Sequence, residues 1–218
     1  MTTPNPIRSL PYATLLAFTR YVDRTGPAKA SFVGGLRKQR ETGGGFNPHG
    51  QFVKALKADI RFRTGGTHLR EVVKTVNPRW QRLYASLVEG AERYVKSLGD
   101  PQSVWLMPTR DAIGMLGGLP VKIQAHFGLR FDDGHSEART EAVRLHFDEV
   151  PPTAEAITAI LHLMTAHSDQ IMPNAEATLL DVRRGEVHRF SHNGNSAEVE
   201  RWLAGEAAGF SAMWTTAA

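Results

Sequence analysis

Hydrophobic residues recur with helical spacing through the first hundred residues of the chain. The spacing predicts helices over 10–22, from Pro27 to about Arg40, through Phe52 and Ile60, and around 69–76. Asn77-Pro78 is the clearest helix start, because Asn is a favoured cap and Pro suits the first helical turn. The long helix that begins there keeps its apolar stripe until Gly99.

The pattern changes to strict alternation after Asp100-Pro101. Residues 121–132 are apolar at odd positions and mainly polar at even ones, which predicts one strand with a buried and a polar face. Residues 104–107 and 143–147 are predicted as two more strands. A helix over 154–167 capped by Thr153, a hairpin over 176–182 and 186–190, and a last helix behind a capping box at Asn195-Ser-Ala-Glu198 follow.

These elements predict an α+β protein in two parts. Residues 1–100 form a helical region, and residues 101–218 form a mixed sheet with the order ββ-α-ββ-α. The chain of 218 residues has an ordinary globular composition, and its lack of cysteine excludes disulfides, thiolate zinc sites and cysteine nucleophiles. Neither a membrane-spanning run nor a signal sequence is recognisable, so we expect a cytoplasmic protein with no membrane partner.

Charge is distributed unevenly between the two parts. Residues 1–100 hold 17 Lys and Arg against 7 Asp and Glu, whereas residues 101–218 hold 9 against 15. A basic region of this kind either faces a polyanion, solvates helix surfaces, or attracts the acidic part or a partner. The best basic stripe is Lys54, Lys57 and Arg61, and the other candidate nucleic-acid contacts are Arg37, Lys38, Arg40, Arg79 and Arg82.

Two groups of polar residues are candidates for other chemistry. Asp132, Asp133 and His135 lie on one turn and could hold a divalent cation, although such a turn is more often simply hydrophilic. The polar faces of the two central strands form either a solvated surface or the lining of a cleft. These faces carry Lys122, His126, Arg130 and Asp132 on one strand and Arg144, His146 and Asp148 on the next.

The order of these elements resembles the core of the restriction-endonuclease-like, PD-(D/E)XK superfamily. The segments Phe127-Gly-Leu-Arg-Phe-Asp-Asp-Gly134, Ala142-Val-Arg-Leu-His-Phe147 and Leu180-Asp-Val-Arg-Arg-Gly185 are also similar to an actinobacterial family of cytosolic proteins, which implies no particular activity. The nuclease resemblance implies a metal-binding acid at Asp132 and a second acid on the next strand. There, Ala142, Arg144 and His146 supply none on the polar face, and Glu141 has the opposite parity, so the resemblance implies a degenerate enzyme.

Three functions follow from these observations. The leading hypothesis is a non-catalytic module that binds or senses DNA or RNA and needs no cofactor. The alternatives are a protein-interaction or regulatory protein without nucleic acid, and a divergent metal-dependent nuclease. The nuclease would require Mg²⁺ or Mn²⁺, and its candidate catalytic residues are Asp132, Glu141, Arg144 and His146.

Overall fold

The computed structural model describes residues 10–43, 47–132, 134, 137–190 and 196–216. It is an α+β structure in which helices dominate the N-terminal part and the sheets lie mostly in the C-terminal part. None of the helices within the described residues is long and apolar enough to cross a membrane.

Five helices precede most of the strands. They are α1 (Leu15–Val22), α2 (Pro27–Thr42), α3 (Gly50–Phe62), α4 (Thr67–Thr75) and α5 (Pro78–Ser97). Thr14 caps α1 by accepting a hydrogen bond from the backbone N–H of Ala17. Asn77 caps α5 in the same way, through the N–H of Arg79, which confirms the predicted start of that helix.

The strands form two mixed sheets among the described residues. The bounds of the strands and of the three helices that accompany them are β1 (Ala13–Thr14), β2 (Val104–Met107), β3 (Asp111–Leu116), β4 (Leu119–Gln124), β5 (Phe127–Phe131), β6 (Arg139–His146), α6 (Ala154–Ala166), α7 (Ser168–Ile171), β7 (Glu176–Asp181), β8 (Glu186–Arg189) and α8 (Ser196–Thr216). The smaller sheet has the order β1–β4–β3, and the larger has the order β2–β5–β6–β7–β8.

The larger sheet separates two hydrophobic clusters. Val143 and Leu145 on one face pack with Phe52, Leu87 and other residues of α3–α5. The opposite face packs against α6, the smaller sheet and helices α1, α2 and α8. Each cluster therefore combines residues from both sides of residue 100.

Most of the predicted elements are present with similar bounds. The strand at 104–107, the hairpin at 176–190 and the helix after Thr153 are confirmed, and the Thr153 hydroxyl accepts a hydrogen bond from the N–H of Ala156. The predicted cap residue Asn195 lies outside the described residues. The helix predicted over 10–22 is shorter, because Ala13 and Thr14 pair with β4 instead.

The single strand predicted over 121–132 was wrong. The segment divides at Ala125 and His126 into β4, in the smaller sheet, and β5, in the larger one. Val121 and Ile123 pack in the cluster beside α6, whereas Phe127 and Leu129 pack in the cluster beside α3. Apolar residues occupy the odd positions on both sides of the break, because β4 and β5 each bury these residues in a different hydrophobic cluster.

Candidate anion-binding site

A recess of about 340 Å³ opens where strand β6 ends, between helix α1 and the segment that precedes α3. The ends of β4 and β6 form its floor, so residues distant in sequence meet there. We call it the Arg144 recess. Its described lining residues are Leu16, Arg20, Asn47, Pro48, His49, Gln124, His126, Arg144, Leu145, His146, Phe147 and Asp148.

Arg144 is a partly buried cation without a carboxylate partner among the described residues. Its Nη1 atom donates a hydrogen bond of 3.1 Å to the backbone carbonyl of Gln124. Burial, and secondly the charge of Arg20, lowers the pKa of Arg144 to about 10. It is still protonated at neutral pH, and a desolvated cation of this kind is stabilised when an anion approaches it.

His126 presents a fixed hydrogen-bond donor beside Arg144. The backbone N–H of Leu145 donates to His126 Nδ1 over 3.1 Å, so the proton of the neutral ring resides on Nε2. Burial lowers the pKa of His126 to about 2, and the charges of Arg144 and Lys57 act in the same direction. The ring is therefore neutral near pH 7.

His49 lies against the same part of the sheet. Its ring stacks on Phe147, with the ring centroids 4.2 Å apart and the planes within 4° of parallel. Burial lowers the pKa of His49 to about 4, an effect that Asp148 opposes and Arg20 and Arg183 increase. Its Nδ1 atom is buried and has no hydrogen-bond partner among the described residues.

Asp148 is the only carboxylate among the described lining residues, and it forms an ion pair with Arg20. The Nη2 and Nε atoms of Arg20 bind the two oxygens of Asp148 at 2.6 and 3.2 Å. This pair is close to neutral as a unit. The positive charge of Arg144 is consequently not compensated within the described lining.

The three cations of the predicted basic stripe share one face of α3. Lys54 and Arg61 are exposed, and Lys57 is partly buried with its ammonium 6.0 Å from the centre of the Phe127 ring. Burial lowers the pKa of Lys57. No member of this group, which we call the α3 stripe, forms an ion pair with a described carboxylate. Lys57 lies close enough to the recess for its charge to act on His126.

The other predicted nucleic-acid contacts lie elsewhere. Arg37 and Arg40 connect α2 to neighbouring elements through the carbonyls of Trp214 and Tyr12, respectively, and the Arg40 guanidinium also stacks over the Trp214 ring. Lys38 is exposed on the same helix. Arg79 and Arg82 are exposed on α5, and Arg79 stacks over Trp80 at 4.5 Å.

The predicted polar face of the two central strands is divided between separate places. His126, Arg144, His146 and Asp148 line the recess, and the imidazole Nε2 of His146 lies 3.0 Å from the carbonyl of Val150. The remaining members lie outside it. Lys122 pairs with Asp111 in the smaller sheet, and Arg130 pairs with Asp132 at the far end of β5.

The two candidate nuclease acids bind different arginines. Asp132 pairs with Arg130, whereas Glu141 is fully buried and is held by Arg139 and Arg189. Strands β5 and β6 pair in an unbroken register, with Glu141 opposite Leu129. Glu141 therefore lies on the same inward face of β6 as Val143 and Leu145, whereas Arg144 lies on the other face.

The described residues include only one of the three predicted metal ligands. Asp132 is described, whereas Asp133 and His135 lie outside the described residues. Within the part of the chain that the structure describes, no three histidine or carboxylate side chains are grouped to hold a metal ion.

A larger groove of about 770 Å³ lies at the opposite end of β6. Its charged lining residues carry both signs, and Arg139 is paired there with Glu141 and Glu176. Because Glu137, Asp169 and Glu176 line it beside its arginines, this groove is a weaker candidate for an anion site than the Arg144 recess.

Sequence reasoning missed the contributions of Arg20 and His49 to the recess. Both lie in the first fifty residues, where the hydrophobic pattern gives no indication of a contact with the strands. The packing of His49 on Phe147 brings it to the site, and no local feature of the sequence indicates that contact. No protein-family model, curated protein or solved structure matches this chain.

Proposed function

We propose that the protein is a non-catalytic nucleic-acid-binding module whose α3 stripe contacts phosphates. The observation that carries the proposal is that Lys54, Lys57 and Arg61 share a helix face and have no carboxylate partner among the described residues. Many other cations of the chain are neutralised locally, as Lys29 is by Glu206 and Arg184 by Asp181. Uncompensated cations on one face are what phosphate binding requires.

The position of the stripe supports the same function. Lys57 acts electrostatically on His126, so the stripe adjoins the recess that contains Arg144. We expect a phosphate backbone bound along the stripe to approach the recess at Lys57. The resemblance to the nuclease superfamily is compatible with this role, and the nuclease itself remains a hypothesis.

Salt dependence gives a quantitative expectation for this proposal. Three phosphate contacts to duplex DNA release enough counterions for a slope of about −2.7 in log affinity against log salt. That slope corresponds to a loss of about 40-fold in affinity between 50 and 200 mM salt. Binding that depended on apolar contacts alone would change little over this range.

Fluorescence anisotropy with single- and double-stranded DNA and RNA in EDTA, over a salt series, tests the proposal. The variant with Lys54→Glu and Arg61→Glu should bind more weakly, with a salt slope reduced by about 2. The matched control carries Lys74→Glu and Arg201→Glu, two exposed cations on α4 and α8, and should bind like the wild type.

Equal loss of affinity in both variants would contradict a specific role for the stripe. Absence of binding at low salt would overturn the proposal and favour the protein-interaction alternative. For that alternative the described residues offer Ile113 and Met115, which are exposed on strand β3. Cleavage of the same oligonucleotides after addition of Mn²⁺ would favour the nuclease instead.

A further inference from the structure

We infer that the Arg144 recess binds a phosphomonoester, either at the end of a nucleic-acid strand or on a free mononucleotide. The strand-end form of this inference rests on the proposed nucleic-acid binding, and the mononucleotide form does not. Nothing in the α3 stripe alone requires such a site, because exposed cations bind internal phosphates as well.

Arg144 carries a positive charge that is not compensated within the described lining of the recess. Its only hydrogen bond to a described residue is to the carbonyl of Gln124, and the one carboxylate of the described lining is bound to Arg20. A guanidinium presents a fork of donors that matches phosphate oxygens, and its desolvation in the recess makes such a pair stronger than it would be in water.

Neutral polar side chains line the recess together with Arg144. His126 is fixed by the N–H of Leu145 so that its Nε2–H is the free donor of the ring. The buried Nδ1 atom of His49 lacks a partner among the described residues, and the side chain of Asn47 lines the same recess. The His126 Nε2–H and the Asn47 amide can donate to an anion without adding charge, and His49 can do so in its Nδ1–H tautomer.

The charge and shape of the recess suit a terminal phosphate better than an internal one. A phosphomonoester carries a charge of about −1.5 to −2 near pH 7, and the positive charges of Arg144 and Lys57 both act at His126. The recess has walls on α1 and on residues 47–49 and a floor of strand ends, which suits the end of a ligand better than the middle of a continuous strand. Its volume of about 340 Å³ falls at the lower end of the range for small-ligand sites, and leaves room for a sugar beyond the phosphate.

The test compares ligands that differ only in a terminal phosphate. Twelve-nucleotide single strands with an internal fluorophore are prepared with a 5′-phosphate, with a 3′-phosphate and without either, and their affinities are measured by anisotropy in EDTA. AMP and adenosine are compared by calorimetry on the same protein. We expect at least one terminal phosphate to increase strand affinity fivefold or more, and AMP to bind where adenosine does not.

Variants of the recess connect the effect to its residues. Arg144→Lys, which keeps the charge but loses the fork, and His126→Gln should each reduce the phosphate preference to less than twofold. The control with Lys54→Glu and Arg61→Glu should weaken all strands but keep the preference. Because Arg144 variants could unfold, thermal unfolding is recorded for each, and the ¹⁵N shift of the His126 Nε2–H in the wild type on adding AMP gives a readout that needs no variant.

The outcomes separate this inference from the proposed function. Strands that bind equally with and without terminal phosphates, with no AMP binding and no shift at His126, would overturn the inference and leave the proposed function intact. AMP binding without strand binding would support the mononucleotide form and overturn the proposed function. If neither strands nor AMP bind, both are overturned.

Discussion

The carboxylate of Asp59 on helix α3 accepts a 2.8 Å hydrogen bond from the backbone N–H of Leu69 in the first turn of α4. The same carboxylate accepts from the N–H groups of Gly66 and His68, and the hydroxyl of Thr64 also donates to it. One fully buried side chain thus accepts hydrogen bonds from the free N–H groups at the start of α4. It also joins α4 to α3, the helix that carries the basic stripe.

Asp59→Ala should lower the free energy of unfolding by about 2–4 kcal/mol, because it leaves buried N–H donors without acceptors. Urea denaturation measures the loss. Asp100→Ala is the matched control, since Asp100 caps a single 3₁₀ turn from an exposed position and should cost about 1 kcal/mol or less. Equal losses in the two variants would contradict this account of Asp59.

Glycine substitutions on two helices should have opposite effects. A Cβ atom at Gly90 would lie 2.1 Å from the carbonyl oxygen of Val182 and 2.4 Å from that of Arg183, which the backbone cannot easily avoid. Gly90→Ala should therefore destabilise by at least about 2 kcal/mol. Gly35, on α2, has open space around the same position, so Gly35→Ala should stabilise by about 0.5–1 kcal/mol.

Thermal and urea unfolding of both variants check this pair. A destabilised Gly35→Ala would show that α2 is not a regular helix with open space at Gly35. A neutral Gly90→Ala would show that α5 does not approach the end of β7 as closely as these distances require.

The helices and most strands could be predicted from sequence because their hydrophobic periodicity reflects one local burial pattern each. The break at His126 could not, since the residues on its two sides keep the same alternation while packing into different clusters. Likewise, the sequence placed Arg144 and His146 on the polar face of a strand. The other walls of the recess come from α1 and from the turn before α3. Such contacts depend on the packing of distant segments, for which the chain carries no local signal.

The free energy of unfolding should decrease more when the arginine partners of the buried Glu141 are removed than when Glu141 itself is replaced. Its Oε1 atom is bound by Arg139 and by Arg189, while Oε2 has no hydrogen-bond partner among the described residues. Replacing both arginines with alanine leaves a buried charge unpaired and should cost about 3–5 kcal/mol. Glu141→Met removes that charge and fills similar volume, and the two arginines are exposed enough to be hydrated, so its cost should be much smaller.

Urea denaturation of these two variants at pH 7 decides the point. A larger loss for Glu141→Met than for the double arginine variant would indicate that the carboxylate contributes net stability.

Stability should decrease as the pH falls below about 6.5, because the recess holds two histidines in their neutral form. Burial lowers the pKa of His126 to about 2 and that of His49 to about 4, from an ordinary value of 6.5. Below pH 6.5 the unfolded chain binds protons that the folded protein excludes, so acid favours unfolding. Each histidine contributes up to about 1.4 kcal/mol per pH unit, both acting down to about pH 4 and His126 alone below it.

His126→Gln should remove its share of this dependence. Between pH 6 and 5 the free energy of unfolding of the variant should fall less steeply than that of the wild type, by up to about 1.4 kcal/mol per pH unit. Between pH 7 and 8 the difference between the two proteins should stay constant, since the histidine is then largely neutral in both folded and unfolded chains. Parallel curves from pH 8 to pH 5 would mean that His126 is not held neutral by burial, and the fixed donor assigned to the recess would lose its basis.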